Sequence, residues 1–164
     1  MRLHRSQSHR DCDYPFTLKK TTPDNFGTIS NCFFGNIMNT LLVTGGAGFI
    51  GSNFIRMVLA EHPTYEVVNY DNLTYAGNVK NFADYEQNEN YTFVKGDICD
   101  AQRVEQTIDQ YKVDAIVNFA AESHVDRSIQ GPKPFIDTNV TGTVTLLEAA
   151  RDKQLERFVQ ISTD

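Results

Sequence analysis

The stretch that most constrains this chain is Leu41-Leu42-Val43-Thr44-Gly45-Gly46-Ala47-Gly48-Phe49-Ile50-Gly51. A β-prone run ends in three spaced glycines, Gly45, Gly48 and Gly51, and passes straight into an apolar segment with helical spacing. That strand–turn–helix order is the context in which a glycine triplet reads as a dinucleotide-binding fingerprint. Gly45 permits a tight turn off the strand, Gly48 lets backbone approach a pyrophosphate, and Gly51 lets the helix lie close on the sheet. The helix start then offers unpaired N–H groups and a positive dipole end to phosphate. Twenty residues beyond Gly51, a second strand-like run, Glu66-Val67-Val68-Asn69-Tyr70, ends at Asp71. A carboxylate there accepts hydrogen bonds from the adenosine ribose hydroxyls and repels a 2′-phosphate, which points to NAD rather than NADP.

From Met38 onward the pattern is regular. Strand one covers about 40–44, and a helix over about 49–61 carries Ile50, Phe54 and Val58 on one stripe with Ile55 and Leu59 beside it. Strand two, about 66–70, is followed by a polar, turn-rich loop over 72–78 and a short helix to about Tyr85. Tyr91-Thr92-Phe93-Val94 reads as strand three and leads to Gly96-Asp97, and Val104, Ile108 and Tyr111 make a second helical stripe. Ala115-Ile116-Val117-Asn118-Phe119 is the nearly continuous apolar run of a buried parallel strand. A long helix from about Pro134 to Arg151 carries Ile136, Val140, Val144 and Leu147, and Phe158-Val159-Gln160-Ile161 is strand five. Alternating strands and helices at this pitch predict an α/β, Rossmann-type doubly wound parallel sheet with strand order 3-2-1-4-5. Ligands of such sheets bind beyond the carboxyl ends of the strands, and all five ends here carry polar or small residues.

Composition separates the first 37 residues from the rest. They carry five basic and three acidic side chains, whereas 38–164 carry ten basic and eighteen acidic ones. No apolar period survives in 1–37, and Pro15, Pro23 and Gly27 interrupt it, so the segment is expected to be a poorly ordered extension of a domain starting at Met38. Nor does it have the uninterrupted apolar stretch of a signal peptide. A net charge of −6 argues against nucleic acid or an anionic membrane surface as partner, and no apolar run is long enough to span a bilayer. Cys12, Cys32 and Cys99, without paired spacing, fit a reducing cytoplasm and suggest neither a disulfide framework nor a metal cluster.

Thr44-Gly45-Gly46-Ala47-Gly48-Phe49-Ile50-Gly51-Ser52-Asn53, Tyr70-Asp71-Asn72-Leu73-Thr74-Tyr75-Ala76-Gly77-Asn78 and Gly96-Asp97-Ile98 resemble the extended short-chain dehydrogenase/reductases that act on nucleotide sugars. More narrowly, the run from Ala120 to Ile129, Phe135-Ile136-Asp137-Thr138-Asn139-Val140 with Gly142-Thr143, and Ile161-Ser162-Thr163-Asp164 resemble the dTDP-glucose 4,6-dehydratases. The resemblance covers about 38–164. It implies that Phe49 and Ile50 lie at the pyrophosphate, that Asp71, Asn72, Leu73 and Thr74 hold the adenosine ribose, and that Asp97 and Ile98 meet the adenine. It further implies that Phe119, Ala120, Ala121, Glu122 and Ser123 line the cofactor, with Ser123 also reaching the sugar and Thr138 behind the nicotinamide half. Thr163 is implied to hydrogen-bond the hexose near its C4 oxygen, and Asp164 to be the general acid for the departing C6 hydroxyl.

The implied reaction is an internal redox cycle on dTDP-glucose: hydride leaves C4 to NAD, water is lost across C5–C6, and hydride returns to C6. His124 reads as a structural hydrogen-bonding group, Asp126 and Arg127 as a local ion pair or subunit contact, and Cys99 as a bystander. The family's glutamate after the Thr-Asp pair and its Tyr-x-x-x-Lys pair are expected to have no counterpart here, so the chain reads as an N-terminal portion without activity of its own. Two other readings stay open: another nucleotide-sugar epimerase or dehydratase, and a non-catalytic NAD-binding module. A homodimer is implied for the full-length form, with the helix near 134–151 a candidate contact. One expectation is testable at once. A chain starting at Met38 should melt at the temperature of the whole chain, and a drop of several degrees would mean that Phe33, Phe34 or Ile37 packs on the domain.

Overall fold

The computed structural model describes residues 39–124 and 131–162. Expectations that fall on 1–38, 125–130 and 163–164, Thr163 and Asp164 among them, lie outside the described residues. Each apolar run forms a strand: β1 Thr40–Thr44, β2 Glu66–Asp71, β3 Tyr91–Lys95, β4 Ala115–Asn118 and β5 Arg157–Gln160. All pairings are parallel and the order is β3-β2-β1-β4-β5, the doubly wound arrangement that the alternation of elements predicts. The helices are α1 (Phe49–Glu61), α2 (Ala101–Tyr111), α3 (Lys133–Ile136) and α4 (Thr143–Asp152). Among the described residues no helix is long and apolar enough to cross a membrane.

Side chains alternate across the pleat, so β1 to β4 feed two cores. Leu42, Val68, Tyr70 and Ile116 pack with Val104 and Ile108 of α2 and Leu146, Ala149 and Ala150 of α4. Leu41, Val43, Val67 and Ala115 pack with Ile55 and Val58 of α1 and with Phe82 and Tyr85. The start of β1 is tied down by Asp114, whose carboxylate accepts the N–H groups of Asn39 at 2.8 Å and Thr40 at 2.9 Å. At the other end a polar chain, buried at Thr44 and Asn118, crosses three strands. Thr44 Oγ1 donates to Asn118 Oδ1, and Asn118 Nδ2 donates to Gln160 Oε1 at 2.8 Å. Asn118 Oδ1 also accepts the Ala120 N–H at 3.1 Å, fixing where the chain turns off β4.

Three local expectations need correction. α1 buries Gly51, Ser52, Ile55 and Val58, while Ile50 faces outward, 61% exposed. The helix must approach the glycine turn closely, so its small residues, not Ile50, face the sheet. The expected short helix to Tyr85 is a single 3-10 turn, Val79–Asn81, after which Phe82 and Tyr85 turn into the core. The long helix is not uniform: α3 passes into a π-helical segment, Asp137–Gly142, before α4. Its expected stripe, Ile136, Val140, Val144 and Leu147, is half-exposed. The buried face is Gly142, Leu146, Ala149 and Ala150, because this helix sits close on the sheet; a Cβ at Gly142 would come 2.5 Å from the Ile98 side chain.

That reversal can be measured. Leu146→Ala should cost about 2–5 kcal/mol by urea denaturation at a protein concentration where the chain is monomeric. Leu147→Ala, its exposed neighbour, should cost under about 1 kcal/mol under the same conditions. Equal costs would contradict the buried face assigned here.

Candidate functional site

The glycine turn follows β1, which runs beside β4 up to Thr44 and Asn118. Gly45 has φ +69, and a Cβ on it would lie 2.6 Å from the Ala120 backbone nitrogen, so both its conformation and the close neighbouring chain demand glycine. Its N–H donates to the Tyr70 carbonyl at 3.0 Å, and its own carbonyl accepts from Gly48 at 3.1 Å. α1 then starts at Phe49 with no side-chain cap and no acidic residue in its first turn. The helix start is therefore presented by glycine backbone, without a competing carboxylate.

The end of β2 closes on this turn. Asp71 is buried, and its two carboxylate oxygens are divided between two loops. Oδ2 accepts the Ala47 N–H at 3.0 Å and Oδ1 accepts the Leu73 N–H at 2.7 Å. Leu73 takes a left-handed φ of 54, an uncommon conformation for a bulky residue and a mark of local constraint. The Ala47 carbonyl is held in turn by the Asn78 N–H at 3.1 Å and Asn81 Nδ2 at 2.8 Å. The 71–81 segment thus clasps the glycine turn at both the N–H and the C=O of Ala47.

After β3 the Tyr70 hydroxyl donates to the Asp97 carbonyl at 3.0 Å over Gly96, where a Cβ would strike the Tyr70 ring. Burial, with smaller help from Asp100, pushes the Tyr70 hydroxyl up to about 12, so it remains a donor at neutral pH. Asp97 accepts from Asn72 Nδ2 at 2.9 Å and from the Cys99 N–H at 2.9 Å. Cys99 itself donates to the Asp137 carbonyl at 3.1 Å, and burial beside Asp97 raises its thiol to about 11, which leaves it a poor nucleophile.

These strand ends border an open cleft with about 620 Å³ of space, part of it open solvent. It brings together Gly45, Gly48, Asp71, Asn72, Thr74, Asp97, Ile98, Phe119, Ala120, Ala121, Glu122 and Thr138. The remaining expected residues sit differently. Phe49 and Ile50 stand exposed at the start of α1, Gly51 lies buried behind the turn, Leu73 contributes its N–H to Asp71, and Ser123 is exposed on the loop after β4. Tyr70, Ala76, Gly77 and Gly96 line the cleft without having been expected to. The signal for the last three was in the sequence, as small residues in the loops after β2 and β3. Tyr91 and Lys95 do have the Tyr-x-x-x-Lys spacing, which corrects the expectation that the chain contains none. They occupy opposite ends of β3, where four residues span about 13 Å instead of one helical turn. Tyr91 is buried and accepts from Asn69 Nδ2 at 2.8 Å, so the two cannot act as a pair.

Comparison with known proteins agrees with this architecture. The sequence model of a family described as GDP-mannose 4,6 dehydratase matches residues 42–164. The chain is 56% identical over 124 residues to the low-salt glycan biosynthesis protein Agl12 of Haloferax volcanii, covering 76% of this chain and 39% of that protein. It is 51% identical over 136 residues to a dTDP-glucose 4,6-dehydratase of Xanthomonas campestris, covering 77% and 38%. A crystal structure of dTDP-glucose 4,6-dehydratase from Bacillus anthracis in complex with NAD superimposes with a TM-score of 0.69 at 46% identity, covering 76% of this chain and 37% of that one. The chain spans less than two-fifths of the length of these relatives. On the match over 42–164 and the sheet it folds into, the chain belongs to the GDP-mannose 4,6 dehydratase family.

Proposed function

We propose that this chain is the cofactor-binding portion of an NAD-dependent dTDP-glucose 4,6-dehydratase, a lyase that forms dTDP-4-keto-6-deoxyglucose. The observation that carries the reading is the Asp71 carboxylate, fixed in the cleft beside the uncapped start of α1. A dinucleotide fits what is present. The glycines leave a cradle that a side chain would fill, the helix start suits a pyrophosphate, and Asp71 lies where a ribose diol needs an acceptor. Phe49 and Ile50 would offer backbone N–H groups to the pyrophosphate. Asp71 to Thr74 would hold the adenosine ribose, Asp97 and Ile98 the adenine, and Phe119 to Ser123 with Thr138 the nicotinamide half. The relatives at about half identity that are named dTDP-glucose 4,6-dehydratases, and the Bacillus anthracis dTDP-glucose 4,6-dehydratase crystallised with NAD, support this choice of nucleotide and cofactor.

When bound, NAD supplies the hydride acceptor and donor for an overall redox-neutral loss of water. The tasks left to the chain are alignment and proton transfer. Ile161 continues β5 toward the same sheet edge, its N–H donating to the Asn118 carbonyl at 3.0 Å, and Thr163 and Asp164 follow in sequence. In this reading Ser123 and Thr163 hydrogen-bond the hexose, Thr163 near its C4 oxygen. Asp164 protonates the leaving C6 hydroxyl, a contribution typical of about 10²–10⁴ in rate. The acceptors for the C4 hydroxyl and C5 protons are not among the residues of this sequence. The half-exposed stripe Ile136, Val140, Val144 and Leu147 is the surface we assign to a homodimer in the full-length form.

Two measurements test the reading. Asp71→Ala should weaken NAD binding by about 1.5–3 kcal/mol, the range for hydrogen bonds to a charged group, with Asp71→Asn less affected. Unchanged affinity in Asp71→Ala would remove the carboxylate from the site. Purified 1–164 should convert no dTDP-glucose to the 4-keto product above the uncatalysed rate, and turnover above that rate would contradict the roles assigned to the absent proton acceptors.

A further inference from the structure

The cleft is walled by two loops from different halves of the sheet. Thr74 and Ala76 line it from the loop after β2, and Ala121 and Glu122 from the loop after β4. Between Thr74 and Ala76 stands Tyr75, whose hydroxyl donates to Glu122 Oε2 at 3.0 Å. The Tyr75 ring also meets the His124 ring edge-on, with centroids 6.4 Å apart. The far side of this contact is anchored. Asn139, in the π-helical segment, accepts the Glu122 N–H through Oδ1 and donates through Nδ2 to the Glu122 carbonyl, both at 2.8 Å. Glu122 is thus held by its backbone to the helical wall and by its carboxylate to the opposite loop.

We propose that Tyr75 is a latch for the cofactor cleft, its hydroxyl closing across the mouth onto the Asn139-anchored Glu122 carboxylate and limiting passage of a dinucleotide in both directions. The proposal rests on the cofactor reading above. The contact is an exposed hydrogen bond to a carboxylate, a setting in which such a bond is worth about 1 kcal/mol. A ligand passes this point only while the bond is broken, so the observed association rate is scaled down by the open fraction. A bound ligand leaves through the same opening, so its dissociation is scaled down as well. A latch therefore changes both rates together and leaves the equilibrium constant nearly alone, whereas a direct binding contact changes mainly the dissociation rate.

Stopped-flow association and displacement of NADH, followed by its fluorescence on the 164-residue chain, separates these roles. Tyr75→Phe removes only the hydroxyl from a half-exposed ring, and an unchanged melting temperature shows that the fold is kept. The expected result is a parallel rise of about fivefold in both rate constants with the dissociation constant within about twofold of the parent. Unchanged rates overturn the latch, and a faster dissociation with unchanged association overturns it in favour of an ordinary ligand contact. Failure of the parent chain to bind NADH overturns the cofactor reading and the latch with it.

Discussion

The site depends on one buried carboxylate that serves two loops at once. Asp71 accepts the Ala47 N–H with one oxygen and the Leu73 N–H with the other, so the glycine turn and the loop after β2 share a single anchor. Hydrogen bonds to an ionised acceptor are among the stronger ones, and a buried carboxylate without them would be costly. The same bond to Leu73 accompanies its left-handed backbone, which carries the chain toward Thr74 and the wall of the cleft. Both carboxylate oxygens retain further acceptor capacity, because each can take more than one donor. In the proposed reading a ribose diol is accepted without dismantling the anchor, so Asp71 would serve both the fold and the ligand.

The opposite wall is built by different means. Asn118 sets the height at which β4 ends, through its bonds to Thr44, Gln160 and Ala120. Asn139 then fixes the next turn by pairing with both backbone groups of Glu122. Its place in a π-helical segment fits the tendency of such segments to occur at functional sites. Thr138 beside it lines the cleft, so one irregular stretch of helix supplies both an anchor and part of the wall. The two walls have different supports and meet where Tyr75 reaches Glu122 and the His124 ring.

Much of this was legible in the sequence, for identifiable physical reasons. Strands buried on both faces show as apolar runs, so β1, β2 and β4 could be placed from Leu41-Leu42-Val43, Val67-Val68 and Ala115-Ile116-Val117. The glycine turn and Asp71 were legible because their spacing follows from where a strand must end and a helix begin. The buried faces of the helices were not. Ile50, Val140 and Leu147 sit at helical spacing, yet close packing of helix on sheet selected Gly51, Ser52, Gly142 and Ala149 instead. Apolar periodicity records that a stripe exists, not which neighbour covers it. The π-helical segment had no periodic signature, and the Tyr75–Glu122 contact joins residues 47 apart that only the sheet order brings together. Tyr91 and Lys95 show the converse: a motif's spacing has meaning only on the element that carries it.

The central claim is that the cleft at the carboxyl ends of the strands takes a dinucleotide whose adenosine ribose is held by Asp71. Parallel calorimetric titrations of the parent chain with NAD and NADP test it most directly, since the two differ only in a phosphate on that ribose. An anchored carboxylate admits the free 2′-hydroxyl and repels a 2′-phosphate, so NAD should bind tighter by about tenfold or more. Equal affinity, or tighter binding of NADP, would contradict the account.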